Sequence, residues 1–144
     1  MKQIVFLSFV FFLFSCDRNL KIKEFQKGGD VFNFETYQFK RNYADSAKTI
    51  NLFLSKEELE LIEKKISKYR VNSIEPSDIS LIPNVNISGE GYFIRFDEKQ
   101  LFVELIHSEY YQKNEKYINL SKFIGLLDSI IYRKEEVLEL PSAQ

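Results

Sequence analysis

The stretch Thr49-Ile50-Asn51-Leu52-Phe53-Leu54-Ser55-Lys56-Glu57-Glu58-Leu59-Glu60-Leu61-Ile62-Glu63-Lys64-Lys65-Ile66-Ser67-Lys68-Tyr69-Arg70 changes its hydrophobic period at Ser55. Before Ser55, the residues Ile50, Leu52 and Leu54 alternate, which places them on one face of a strand. After it, Leu59, Ile62, Ile66 and Tyr69 recur at steps of three and four, the spacing of one helical face. Ser55 with Glu58 three residues on is a capping box, and Leu54 and Leu59 flank it as a hydrophobic staple. Glu57, Glu58 and Glu60 crowd the start of this segment, and Lys64, Lys65, Lys68 and Arg70 crowd its end. That distribution complements the helix dipole, so the pattern predicts a helix over 56–70.

Working outward toward the N-terminus, Asn42 to Ser46 reads as a polar turn. Val31 to Lys40 reads as one strand in which Phe32, Phe34, Tyr37 and Phe39 change parity, the mark of a bulge or of two buried faces. Gly28-Gly29-Asp30 is a turn signal, and Leu20 to Phe25 alternates enough to be either a strand or a tether. Toward the C-terminus, Val71 to Ser88 holds two prolines and reads as a long connection pinned to the core by Ile79, Leu81 and Ile82. Tyr92, Ile94 and Phe96, then Leu101, Val103 and Leu105, form a second hairpin around the turn 97–100. Asn119 is the expected cap of a second helix. Its apolar face is Leu120, Phe123, Ile124, Leu127, Ile130 and Ile131, with Asp128 on an exposed flank, Gly125 permitting close approach of a strand and Pro141 ending the element. The order is ββαββα. Short hairpins demand antiparallel pairing, so the expected fold is two-layer α+β, with a sheet of about four to five strands and two helices.

The first sixteen residues are of another kind. Lys2 is followed by the apolar run Ile4 to Phe14, then by Ser15-Cys16 and the charged pair Asp17-Arg18. A basic start, a short apolar core and a small residue before the cut are the layout of a secretory signal, and the run falls short of the ~20 residues of a membrane-spanning helix. Leu13-Phe14-Ser15-Cys16 resembles the lipobox of bacterial lipoproteins, with Phe14 bulkier than is usual there. The resemblance covers residues 1–16 and implies removal of residues 1–15, lipidation of Cys16 and a membrane anchor through it. It divides the chain into a signal (1–15), a lipidated Cys with short tether (16–19), one α+β domain (20–141) and a tail (142–144). Asp17 after Cys16 resembles an inner-membrane retention signal of some Gram-negative bacteria.

Met1–Ser15 carries one charge, Lys2, so the remainder has 19 Lys and Arg against 21 Asp and Glu, net −2. No basic patch points to nucleic acid. Five of the fourteen Phe lie in the signal; nine Phe and eight Tyr are left, too aromatic for a disordered chain. Cys16 is the only cysteine, which excludes a disulfide, thiol catalysis and thiolate metal sites in the domain. No P-loop, dinucleotide-binding glycine pattern, HExxH or Gly-x-Ser-x-Gly occurs, so no cofactor and no metal is expected. His107, the only histidine, with Glu104, Ser108 and Tyr110 nearby, sketches an acid–base cluster, the basis of an alternative reading as an envelope enzyme. Tyr110, Tyr111 and Tyr117 lie in a polar segment without core periodicity and are the expected partner-binding aromatics. The combined expectation is a lipid-anchored exported protein that binds an envelope protein partner. The layout resembles small envelope lipoproteins, including some that inhibit or confer immunity; a structural envelope component is the third reading.

Overall fold

The computed structural model describes residues 20–79, 91–104 and 113–142. The chain is α+β. Its strands are β1 (Ile22–Lys27), β2 (Asp30–Asn33), β3 (Gln38–Asn42), β4 (Ala47–Asn51), β5 (Gly91–Phe96) and β6 (Gln100–Glu104). Its helices are α1 (Lys56–Tyr69), α2 (Glu115–Tyr132) and the short α3 (Glu135–Leu138), with single 3₁₀ turns at Val71–Ser73 and Pro76–Asp78. The six strands form one sheet in the order β4-β3-β2-β1-β5-β6, every neighbouring pair antiparallel. Among the described residues no helix is long and apolar enough to cross a membrane.

The sheet has more strands than the four to five expected, because Val31–Lys40 is two strands rather than one. The parity change between Phe34 and Tyr37 is a turn. Asn33 Oδ1 accepts from the amides of Glu35 and Thr36, each at 2.9 Å, and Tyr37 takes a left-handed φ of 53°. Four strands therefore precede α1. Leu20–Phe25 also belongs to the fold: Leu20 and Ile22 are buried, and β1 is a central strand rather than a tether. Gly28 supplies the positive φ, 56°, that the β1–β2 turn requires.

Both α1 caps follow from local sequence. Ser55 Oγ accepts from the Glu58 amide at 3.2 Å, and the Glu58 carboxylate accepts from the Ser55 amide at 2.7 Å. The helix ends at Arg70 in the left-handed region (φ 51°), whose amide reaches the carbonyls of Ile66 and Ser67. Ile62 and Ile66 are buried, with Leu59 and Tyr69 packed half-buried at their sides. The second helix begins five residues earlier than the sequence suggested. Asn114, not Asn119, is its cap, accepting from the Tyr117 amide at 3.1 Å, while Asn114 Nδ2 donates to the Asp78 carbonyl at 3.1 Å. Asn114 thus joins the helix to the preceding 3₁₀ turn, a tertiary role that local pattern does not record. Gly125 does not admit a close strand: it is exposed, and a Cβ there would meet nothing within 4 Å.

The core lies between the sheet and the helices. Phe25, Phe32, Phe39, Tyr92, Ile94, Leu101 and Val103 point to the helix side and meet Leu120, Phe123, Ile124, Leu127 and Ile131 of α2. Ile79 is buried, as expected of that pin; Leu81 and Ile82 lie outside the described residues.

Arg70 pays a left-handed conformation without glycine's freedom. Arg70→Gly is expected to raise stability by about 0.5–1 kcal/mol, measured by urea unfolding. A lowered midpoint would mean that the arginine side chain, not the cap geometry, is what matters there.

Candidate functional site

Among the described residues a dense group of ionisable side chains lies on the helix side of the sheet, where strand register assembles it. Lys27 pairs with Asp30 across the β1–β2 turn, and Asp30 pairs with Arg41 of β3. Asp30 is 7% exposed, the buried charged residue of the described fold. Arg41 donates to it through Nε at 3.0 and 3.1 Å and through a terminal nitrogen at 2.8 Å, the bidentate geometry that makes such pairs strong. The other terminal nitrogen of Arg41 donates to the Pro141 carbonyl at 3.2 Å and the Leu140 carbonyl at 3.5 Å. Tyr43 Oη donates to the same Pro141 carbonyl at 3.1 Å.

From α2, Tyr132 brings its phenol beside Asp30. Burial first, and then the neighbouring Asp30 carboxylate, push the phenol far above its ordinary value. Lys27 Nζ reaches Asp128 at 2.9 Å and lies 4.9 Å from the Tyr132 ring centre and 5.8 Å from that of Tyr92. Asp128, expected on an exposed flank, is a half-buried partner because β1 ends beneath it. In this cluster each carboxylate faces a cation and the phenol is held protonated. It is a clasp joining β1, β2, β3, α2 and the C-terminal segment. Among the described residues no group of three or more His, Cys, Asp and Glu is arranged to hold a metal ion. A surface cavity of about 220 Å³, lined by Lys21, Glu63, Ile66 and Ser67, shares no residue with the clasp.

The other face of the sheet is chemically different. The alternate residues of the strands, Thr49, Lys40, Val31, Gln26, Phe93 and Phe102, form one row across it by register and are exposed or half-buried. The Phe93 and Phe102 rings lie 4.6 Å apart, centre to centre, and Phe102 is 43% exposed. Gly91 makes room for this pair, since a Cβ there would come within 3.1 Å of the Phe102 ring. In the next row Arg95 pairs with Glu24 at 3.3 Å, and Gln26 donates to the same carboxylate. An apolar aromatic pair thus lies beside a polar rim on this face.

The aromatics expected at an interface are distributed differently. Tyr117 is buried at 8% exposure and belongs to the core, a correction that follows from the earlier start of α2: in the first turn of the helix its ring points inward. Tyr110, Tyr111, His107 and Cys16 lie outside the described residues. Sequence reasoning passed over Phe93 and Phe102, although the signal was present: each has the opposite parity to its buried neighbours Tyr92 and Ile94, or Leu101 and Val103.

Two outcomes test the clasp. Asp30→Ala strands a buried guanidinium and should cost about 3 kcal/mol in urea unfolding; a loss under 1 kcal/mol would show that the pair is replaceable. The folded state keeps the Tyr132 proton that the unfolded chain releases above pH 10, so this contribution is complete below pH 10 and is lost as pH rises beyond it. Tyr132→Phe should flatten the fall of the thermal midpoint above pH 10, and an unchanged slope would assign that fall to other groups. In comparisons with known proteins, no family model, no curated protein and no solved structure matches this chain.

Proposed function

We propose that this chain is a lipid-anchored, exported bacterial protein that works in the cell envelope by binding another envelope protein. The observation that carries the binding role is the Phe93–Phe102 pair on the sheet face opposite the helices. Two large rings held at 4.6 Å, one of them 43% exposed, offer rigid apolar area at little entropic cost. The membrane anchor rests on Leu13-Phe14-Ser15-Cys16 behind its apolar run. Because Leu20 is already buried in the fold, only Asp17, Arg18 and Asn19 separate the acylated residue from the domain, a reach of roughly 10 Å. The domain would then work close to the membrane surface, held by acyl chains that contribute about 0.8 kcal/mol per buried CH₂. Tyr110 and Tyr111 extend the proposed set of partner-binding aromatics.

Two measurements test the reading. Labelled fatty acid should enter the wild-type protein and not Cys16→Ala; equal labelling of both removes the anchor. Phe102→Ala should weaken partner capture by about 2 kcal/mol, the scale of an interface hot spot, while the unfolding midpoint stays near wild type. Unchanged capture by Phe102→Ala and Phe93→Ala, with loss of function in His107→Ala, would favour the enzyme reading.

A further inference from the structure

The two edges of the sheet are not alike. On β4 the pairing can be followed group by group. The Leu52 amide donates to the Tyr37 carbonyl at 2.8 Å and the Tyr43 amide to the Ser46 carbonyl at 2.8 Å. Hydrogen-bonded pairs alternate along an antiparallel ladder, so between these two they are Phe39 with Ile50 and Arg41 with Lys48. Ala47, Thr49 and Asn51 therefore turn their N–H and C=O groups away from the sheet. All three residues are exposed, and β4 is the last strand in the order. The exposed charges carried by β3 and β4 themselves are both positive, while Asp45 lies in the turn that joins the two strands. Lys40 lies next to Thr49 on the outer face and Lys48 lies on the edge strand itself; both are exposed, and neither is in an ion pair with a described residue. Lys48 sits directly across from Arg41, a like-charge pair, and Asp30 neutralises Arg41 alone. Phe53, 70% exposed against Tyr37, ends the edge with an apolar ring.

We propose that β4 is the docking edge for an extended acidic segment of a partner protein, which adds as a seventh strand beside Ala47, Thr49 and Asn51. Backbone groups of the segment satisfy the outward donors and acceptors, and its carboxylates neutralise Lys48 and Lys40 on either face. A second copy fits this edge less well. Antiparallel pairing of two β4 strands about Thr49 sets Lys48 diagonal to its own counterpart on the same face, adding a like-charge contact where one already exists. The proposal rests on the protein-binding reading above only for the class of partner, and it uses the edge of the sheet opposite Phe102.

The experiment uses the full chain in detergent and two fluorescein-labelled synthetic peptides, a glutamate peptide repeating Val-Glu-Glu and a lysine peptide repeating Val-Lys-Lys, so that charged side chains fall on both faces of an added strand. Fluorescence anisotropy should show the glutamate peptide binding at least about tenfold more tightly than the lysine peptide. Thr49→Pro removes an N–H that points away from the sheet, a position where proline is tolerated in an edge strand. It should abolish binding with the thermal midpoint unchanged. The double variant Lys40→Glu, Lys48→Glu keeps the edge and should reverse the peptide preference, which tests the proposal even if Thr49→Pro does not fold. No binding of the glutamate peptide, equal binding of both peptides, or wild-type binding by folded Thr49→Pro overturns it. So does a dimer in sedimentation that Thr49→Pro dissociates, since the occupant is then a second copy. Phe102→Ala should leave peptide binding intact, so failure at this edge is distinguishable from failure of the outer-face reading.

Discussion

A buried carboxylate must be matched or the fold does not hold, and the matching of Asp30 organises one end of this domain. Arg41 meets it with a bidentate pair, Tyr132 brings its phenol beside it from α2, and the other terminal nitrogen of Arg41 donates to the carbonyls of Leu140 and Pro141. One charge thereby ties the β1–β2 turn to β3, to the last turn of α2 and to the C-terminal segment. An apolar group at that place would pack, but it would leave Arg41 and the terminal carbonyls without a common partner. The clasp is closed chemistry: its groups are consumed by one another, and this is why the surface rather than the cluster is the place to look for function.

The same economy recurs at both ends of α1. Glu58 closes the cap of α1 and also accepts from Lys134 at 2.7 Å just beyond α2, so one carboxylate sets both a helix start and a helix–helix contact. Lys99, in the β5–β6 turn, donates to the carbonyls of Asn72 and Ile74 at 2.6 and 2.7 Å, satisfying backbone acceptors in the connection that leaves α1. With no disulfide available, these single-residue bridges between elements take over the task of fixing the connections, while the aromatic core supplies the burial.

Much of this was legible locally. The capping box and staple at Ser55 located α1 to within a residue, because a cap is a contact among neighbours in the chain. Alternation located β5 and β6 for the same reason, and it carried the parity of Phe93 and Phe102, although their exposure was not drawn from it. The start of α2 was misread because Asn114 is chosen by a distant acceptor, the Asp78 carbonyl, whereas Asn119 had only its local pattern to recommend it. The burial of Tyr117 follows from that one displacement. Val31–Lys40 was read as a single strand because an Asx turn at Asn33 and a left-handed tyrosine look, in one dimension, like a bulge.

Composition and local pattern by themselves determined the α+β class, the antiparallel hairpins, the capped first helix, the absence of a disulfide and the signal-like character of the first sixteen residues, all properties of residues close together in the chain. Tertiary structure decided the strand order, the clasp around Asp30, the partnership of Lys27 with Asp128 across 101 positions and which edge of the sheet keeps its hydrogen bonds unspent. The physical reason is that a charge or an edge acquires its meaning from what the fold brings beside it. Register set Arg41 against Asp30 and left Lys48, one strand further out, with no counter-charge among the described residues.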